Sequence, residues 1–265
     1  MELEIFVCDA FTNQQFKGNS AAVVPVSEWL SDEVMQNIAR ENNLSETAFI
    51  KPVGNHHYHI RWFSPLCEVD FCGHATLASS FVLFEYFDAH DTLHFETNQV
   101  GSLWVTRESS GRISMDFPNM APKPIDEPPR ALIEGLSIPP RQVLVNEQAY
   151  VVVVADEQQV LAMQTDNAQL KQLHPRDVVV TARADREGYD MVSRYFWPAN
   201  GGDEDPVTGS IHSGLAPYWA EQLGKSSLVA YQASQRGGTL YCQVLDERVI
   251  IAGDAILYSR GKVYL

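Results

Sequence analysis

A chain of 265 residues with a hydrophobic fraction of 45% buries a substantial core without disulfide staples or a structural metal. Its 16 Gly and 14 Pro follow no G-X-Y period, which excludes collagen-like and low-complexity classes. The 19 Lys and Arg stand against 34 Asp and Glu, and the formal charge of −15 repels phosphate backbones and anionic lipid, so neither nucleic acid nor a membrane is expected as a partner. The four cysteines (Cys8, Cys67, Cys72 and Cys242) lack paired zinc-type spacing and read as reduced thiols in a cytoplasmic protein. The N-terminus turns directly into an alternating strand pattern, which predicts no secretory or transit segment, and no apolar run approaches the 18 residues of a spanning helix.

In chain order, residues 3–8 and 21–26 predict two strands around the turn pair Gly18-Asn19. A helix follows. Ser31 caps it, Asp32 and Glu33 suit the positive end of its dipole, Leu30 staples to Met35, Val34 or Met35 with Ile38 faces the core, and Asn42-Asn43 ends it. Strand patterns return at 47–51 and 57–63, an apolar helix runs from Gly73 to about Phe87, and strands cover 92–106 and 112–117. Five prolines between Pro118 and Pro129 exclude helix and ladder there, so 118–129 is taken as a connection between an N-terminal half, 1–117, and a C-terminal half, 130–265. Beyond it the pattern predicts a strand at 149–154, one polar helix over 157–172, strands at 177–182 and 189–196, and a helix after Gly209.

The halves repeat each other. Arg61-Trp62-Phe63-Ser64-Pro65 is echoed by Arg194-Tyr195-Phe196-Trp197-Pro198 at an offset of 133 residues. Each copy leads through a loop, to Cys72-Gly73-His74-Ala75-Thr76 or to Pro206-Val207-Thr208-Gly209-Ser210, and then opens a long helix. A small-residue turn at a helix N-terminus leaves amide N–H groups free and favours an anion, so two matching turns suggest two halves facing one cleft, or else two ordinary caps.

Among residues able to carry chemistry, Glu46 lies just before an apolar strand, where desolvation raises a carboxyl pKa and allows proton exchange near neutrality. The 133-residue offset pairs it with Val179, which points to one base and not two. His74, at a helix start, is expected neutral because the dipole disfavours imidazolium. Asp205 stands before the second helix, as an orienting group or simply a cap. Cys72 at a helix N-terminus reads either as a thiolate or as core; with Pro206 in the matching place of the second turn, a two-thiol acid/base pair is excluded and core packing is expected. In His56-His57-Tyr58-His59 only His57 and His59 share a strand face, and with no completing carboxylate at evident spacing no metal is expected. No Gly-x-Ser-x-Gly elbow, G-x-G-x-x-G fingerprint or P-loop occurs, so neither a serine hydrolase nor a nucleotide cofactor is indicated.

Through these residues the sequence resembles the phenazine biosynthesis PhzF-like family, which is similar in fold to diaminopimelate epimerase. The resemblance runs through Asp9-Ala10-Phe11-Thr12 with Gly18-Asn19-Ser20-Ala21-Ala22-Val23, Ser45-Glu46-Thr47-Ala48-Phe49, Arg61-Trp62-Phe63-Ser64-Pro65 with Glu68-Val69-Asp70, Cys72-Gly73-His74-Ala75-Thr76, and Asp205-Pro206-Val207-Thr208-Gly209-Ser210-Ile211-His212. It implies an α+β fold of two pseudo-symmetric halves, each a mixed sheet wrapped around a central helix, paired as a homodimer. It also implies an isomerase that needs neither metal nor organic cofactor, like the family's dihydro-hydroxyanthranilate isomerase, acting on a small carboxylate-bearing substrate. In that reading Glu46 moves the proton, His74 and Asp205 orient the substrate, and Ser45, Gly73, Gly209 and Ser210 bind it. Ile211 departs from the small residue common in the family and reshapes the pocket. The rival functions are an amino-acid racemase or epimerase, which needs a base on each face of the carbon, and a non-catalytic small-molecule binder.

Overall fold

The structure, a computed structural model, describes all residues Met1–Leu265 and divides into two compact units. Unit 1 comprises Met1–Asp116 with Ala252–Leu265, and unit 2 comprises Phe117–Ile251. The expected continuous C-terminal half is therefore corrected: the last 14 residues belong to the first unit. The physical reason is strand pairing. Strand β1 (Glu2–Ala10) is antiparallel to β2 (Asn19–Pro25) on one side and to the C-terminal strand Ala255–Tyr264 on the other, so that Cys8 lies opposite both Ala21 and Leu257.

Helix α1 (Asp32–Asn42) follows its local signals. The Ser31 hydroxyl accepts from the Val34 amide at 3.3 Å, and Asn43 closes the helix at φ 48°. Met35, Ile38 and Ala39 are buried against Val24, Phe49 and Phe63, with Leu30 packed on the same cluster. Each large side chain there contributes about 1.5–3 kcal/mol. The sheet continues in β3 (Glu46–Gly54), parallel to β2, and β4 (His57–Phe63), antiparallel to β3. The short β5 (Glu68–Val69) pairs with the end of β4.

Helix α2 (Gly73–Tyr86) is the central element of unit 1. Eleven of its 14 residues are buried, so it has no solvent face to be amphipathic about. Its buried Thr76, Ser79 and Ser80 hydroxyls donate to the carbonyls of Cys72, Ala75 and Thr76, four residues earlier in each case, which removes the cost of placing them there. Strands β1, β2, β3, β7 (Ser102–Arg107) and the C-terminal strand pack around it, and β6 (Thr92–Glu96) lies between β4 and β7. Strand β8 (Ile113–Pro118) carries the chain towards unit 2.

Unit 2 repeats this order of pairings. After β9 (Lys123–Pro124) and α3 (Arg130–Glu134), β10 (Gln142–Val145) is antiparallel to β11 (Ala149–Val153), and β11 is parallel to β12 (Asp177–Arg183). Strand β13 (Met191–Phe196) is antiparallel to β12, pairs with the short β14 (Glu204–Asp205) and runs parallel to β15 (Ser227–Gln232), just as β4 does with β3, β5 and β6. The valine runs of β11 and β12 are continuous because these adjacent parallel strands are buried on both faces. Two expectations need correction here. Lys123–Pro124 does join a ladder, opposite Leu144 and Val145 at the sheet edge, where proline is tolerated. The polar helix over 157–172 is broken into α4 (Glu157–Ala162), α5 (Asn167–Leu170) and a 3-10 turn, because Asp166 caps a second start and Thr165 bridges to Leu136.

Helix α6 (His212–Leu223) packs on β15 and β16 (Gly238–Val244) and is anchored to β12 by the Trp219 indole donating to Thr181 Oγ1 at 3.0 Å. Strand β17 (Arg248–Gly253) leads out of the unit into β18, the C-terminal strand Ala255–Tyr264. The whole is α+β: mixed sheets with few helices, and no helix is long and apolar enough to cross a membrane.

Candidate active site

In unit 1 the site is built from three chain segments meeting at the start of α2. Gly18 holds φ +64°, and a Cβ there would lie 2.1 Å from the Ala10 carbonyl oxygen, so only glycine lets the chain enter β2 at Asn19. The parallel register that sets Ala21 opposite Glu46 places Glu46 at the mouth of β3. His74 occupies the second position of α2 and is buried, as is Asn19.

A chain of polar contacts joins them. The Ser45 hydroxyl donates to Asn19 Oδ1 at 3.0 Å, which turns the Asn19 amide nitrogen towards His74 Nδ1 at 3.2 Å. Whether neutral or charged, the ring can carry a proton on Nε2, which faces Glu46 Oε2 at 3.0 Å. That oxygen is buried and has no aligned hydrogen bond, although it touches the imidazole. Glu46 is thus a mostly buried carboxylate, 13% exposed, with Oε2 turned against the imidazole.

The expectation that His74 is unambiguously neutral is corrected. Burial works against imidazolium, but the Cys72 sulfur and the Glu46 carboxylate outweigh it and raise the His74 pKa well above its ordinary value. The helix dipole loses to a charge in direct contact. Cys72 is buried and its Sγ lies 3.4 Å from His74 Nδ1. Burial first, with the neighbouring Glu46, pushes this thiol up to about 11, so it is not a depressed-pKa thiolate.

Glu46, Cys72 and His74 bring ligand atoms within 4.8 Å of one another. The carboxylate lies 3.0 Å off Nε2, and the thiol is closer to Nδ1 (3.4 Å) than to Nε2 (4.0 Å).

In unit 2, Asp205 accepts from the Thr208 hydroxyl through its carboxylate, and its carbonyl accepts from the fully buried Gln232 at 2.9 Å. Gln232 in turn accepts from the Thr208 amide at 2.9 Å, which clamps the 205–208 turn. Gly209 and Ser210 follow as the turn that opens α6, and Ser210 Oγ accepts from Gln148 Nε2 at 3.0 Å. His212 is fully buried: Nδ1 donates to the Thr208 carbonyl at 2.8 Å, and Nε2 has no partner. Ile211 is buried as the residue that precedes α6.

Strand register revises the equivalences between the repeats. Thr47 lies opposite Phe63 and Val178 opposite Phe196, so the second hairpin is two residues longer and Glu46 corresponds to Asp177, not Val179. Likewise Phe63 pairs with Glu68 and Phe196 with Glu204, which makes Thr208, not Pro206, the counterpart of Cys72. There is no second thiol, but there is a second carboxylate. The two carboxylates differ in their bonding. Asp177 accepts from Tyr195 OH at 2.7 Å and from Asn200 Nδ2 at 2.8 Å, one bond to each oxygen, while burial pushes its pKa up.

Asn19, Gln148, Tyr195 and Asp177 were not among the expected site residues. Asn19 belongs to the Gly18–Val23 motif and reads there as a turn residue, and its position beside Ser45 and Glu46 emerges only from the parallel β2–β3 pairing. The expected Ser45, Glu46, Gly73 and His74 do come together in unit 1, and Asp205, Gly209 and Ser210 come together in unit 2.

Residues 8–261 match the family model described as phenazine biosynthesis-like protein. An uncharacterised isomerase of Pseudomonas aeruginosa is 50% identical over 267 residues, covering 100% of each chain. Among solved structures, a phenazine biosynthesis protein of the PhzF family from Enterococcus faecalis has a TM-score of 0.94 at 43% identity, covering 100% of both chains. A hydroxyproline epimerase from Agrobacterium vitis shares the fold, with a TM-score of 0.61 at 10% identity across 99% of this chain and 92% of that one.

Proposed function

We propose that this chain, which belongs to the phenazine biosynthesis-like protein family, is an isomerase that moves a proton between two carbons of a small carboxylate-bearing substrate, with Glu46 as the single acid and base. The observation that carries this reading is the contrast between the two equivalent carboxylates. Glu46 Oε2 lies against the His74 imidazole and no donor bonds its other oxygen, whereas both Asp177 oxygens are already engaged. A two-base racemase would need both to be free.

The chain's own residues supply what the step requires. Glu46 takes the proton from one carbon and returns it to another. The Ser45–Asn19–His74 chain holds the imidazole against the carboxylate and stabilises its charged form. The first-turn amides of α2, beginning at Gly73, have no helical partners and suit the substrate carboxylate, an attraction of about 0.3–2 kcal/mol. For Asp205, Gly209 and Ser210 we keep the orienting and binding roles that the second motif implies, and for the assembly the homodimer implied by the family. No metal or organic cofactor enters this mechanism.

A thermal-shift screen of small cyclic and amino carboxylates identifies ligands, and turnover is then compared in Glu46→Gln. Gln keeps the shape but carries no exchangeable acid, so turnover falls by about 10² to 10⁴. A Glu46→Gln protein as active as the parent would sink the reading.

A further inference from the structure

Apart from the proton-transfer centre, unit 1 carries a second cluster of ligating side chains. The parallel β4–β6 register sets His57 opposite His94 and His59 opposite Glu96. Residues two apart share a strand face, so all four project on the same side, with Tyr58 and the buried Phe95 turned to the other. The carboxylate that the linear sequence did not supply for His57 and His59 therefore comes from the neighbouring strand.

Glu96 stands between the two imidazoles. Its Oε1 lies 2.9 Å from His57 Nε2, and its Oε2 bonds His59 Nε2. The His57 contact is close but misaligned, since Nε2 there is buried with no hydrogen-bond partner, and His94 Nε2 is in the same condition. The rings are held in place. His94 is stacked between His57 (centroids 4.2 Å apart) and Trp104 (4.3 Å apart), which fixes the orientation of His57. Lys51, opposite His59, is drawn away towards Glu28 at 3.5 Å and lies over the Trp29 ring.

We propose that His57, His59 and Glu96 form a surface site for a zinc-class divalent transition metal, which ties β4 to β6. Two imidazole nitrogens and a carboxylate oxygen suit zinc, nickel or copper and not magnesium or calcium, which prefer all-oxygen shells. The 2.9 Å separation of His57 Nε2 from Glu96 Oε1 approaches the edge of about 3.3 Å of a tetrahedron with 2.0 Å bonds, and binding requires the two imidazoles, which now face different Glu96 oxygens, to turn towards each other. On binding, each neutral ring keeps one proton, moved to Nδ1, and offers the Nε2 lone pair. The site uses neither Glu46 nor His74 and is independent of the proposed isomerase reaction.

The test uses full-length protein freed of metal by chelation and titrated with Zn²⁺ against a chromophoric chelator. The Trp104 fluorescence on adding Cu²⁺ is a second readout. The parent should bind one Zn²⁺ per chain, and His59→Gln and Glu96→Gln, both at partly exposed positions, should each weaken binding at least 10-fold, while Cys72→Ser and His90→Gln bind as the parent does. Cu²⁺ should quench Trp104 in the parent and much less in His59→Gln. Absence of stoichiometric Zn²⁺ binding, equal binding by His59→Gln and parent, or loss of the metal in Cys72→Ser would each overturn the proposal.

Discussion

His212 makes the stability of unit 2 sensitive to mild acid. Its ring is fully buried, its Nδ1 proton is committed to the Thr208 carbonyl at 2.8 Å, and its Nε2 has no partner. A proton added at Nε2 would be a buried, unpaired charge, and burial lowers the pKa from 6.5 to about 4, with the Thr208 bond opposing only in part. The unfolded chain binds this proton more readily than the folded one. The stabilising contribution is therefore complete above pH 6.5 and is lost as pH falls towards 4. The full difference is about 3 kcal/mol, of which about 2 kcal/mol has gone by pH 5. His212→Asn retains a short donor for the Thr208 carbonyl and removes the titration. Urea unfolding of both proteins at pH 7.5 and pH 5 isolates the effect from the other titrating groups, and the parent should lose about 2 kcal/mol more than the variant. Equal losses in parent and variant would refute the assignment of this acid sensitivity to His212.

Five further outcomes can be measured. Cys72→Ser should turn over at near the parent rate, because a thiol with a pKa of about 11 does no acid/base work; an inactive but folded variant would revive a thiol mechanism. Tyr195→Phe strips one oxygen of the partly buried Asp177 of its donor and should cost about 1–3 kcal/mol in denaturant unfolding; unchanged stability would refute a structural part for this bond. Asp205→Asn should raise KM more than it lowers kcat if Asp205 orients substrate, and a pure kcat loss would assign it a part in proton transfer. Chelator treatment should remove metal from the β4–β6 face and leave turnover unchanged, while light scattering at micromolar concentration should report twice the chain mass.

Local physics was legible where it acts over a turn or two. The Ser31 cap, the acidic first turn and the Asn43 stop define α1, and the small residues from Gly73 open α2 where the pattern places it. Expectations failed where a distant segment decides. The C-terminal strand joins unit 1 because β1 has a free edge, which nothing near residue 255 reveals. The helix over 157–172 breaks at Thr165 because Leu136 offers a bridge. A fixed repeat offset paired Glu46 with a valine, since loops of different length between matching strands shift the true equivalence onto Asp177. Glu46, His74 and Ser45 stood out as chemical types in motifs, but Asn19 read as a turn. The state of His74 was misjudged because its carboxylate neighbour is supplied by another strand.

The central claim is that Glu46 moves a substrate proton, and solvent exchange measures this directly. The carboxylates that shift the melting temperature are incubated with the protein in D2O and followed by proton NMR. The account predicts that a C–H signal of at least one ligand is replaced by deuterium with the parent, and that the rate falls by about 10² or more in Glu46→Gln. Ligands that bind tightly without any C–H exchange, or exchange that proceeds equally fast in Glu46→Gln, would contradict it.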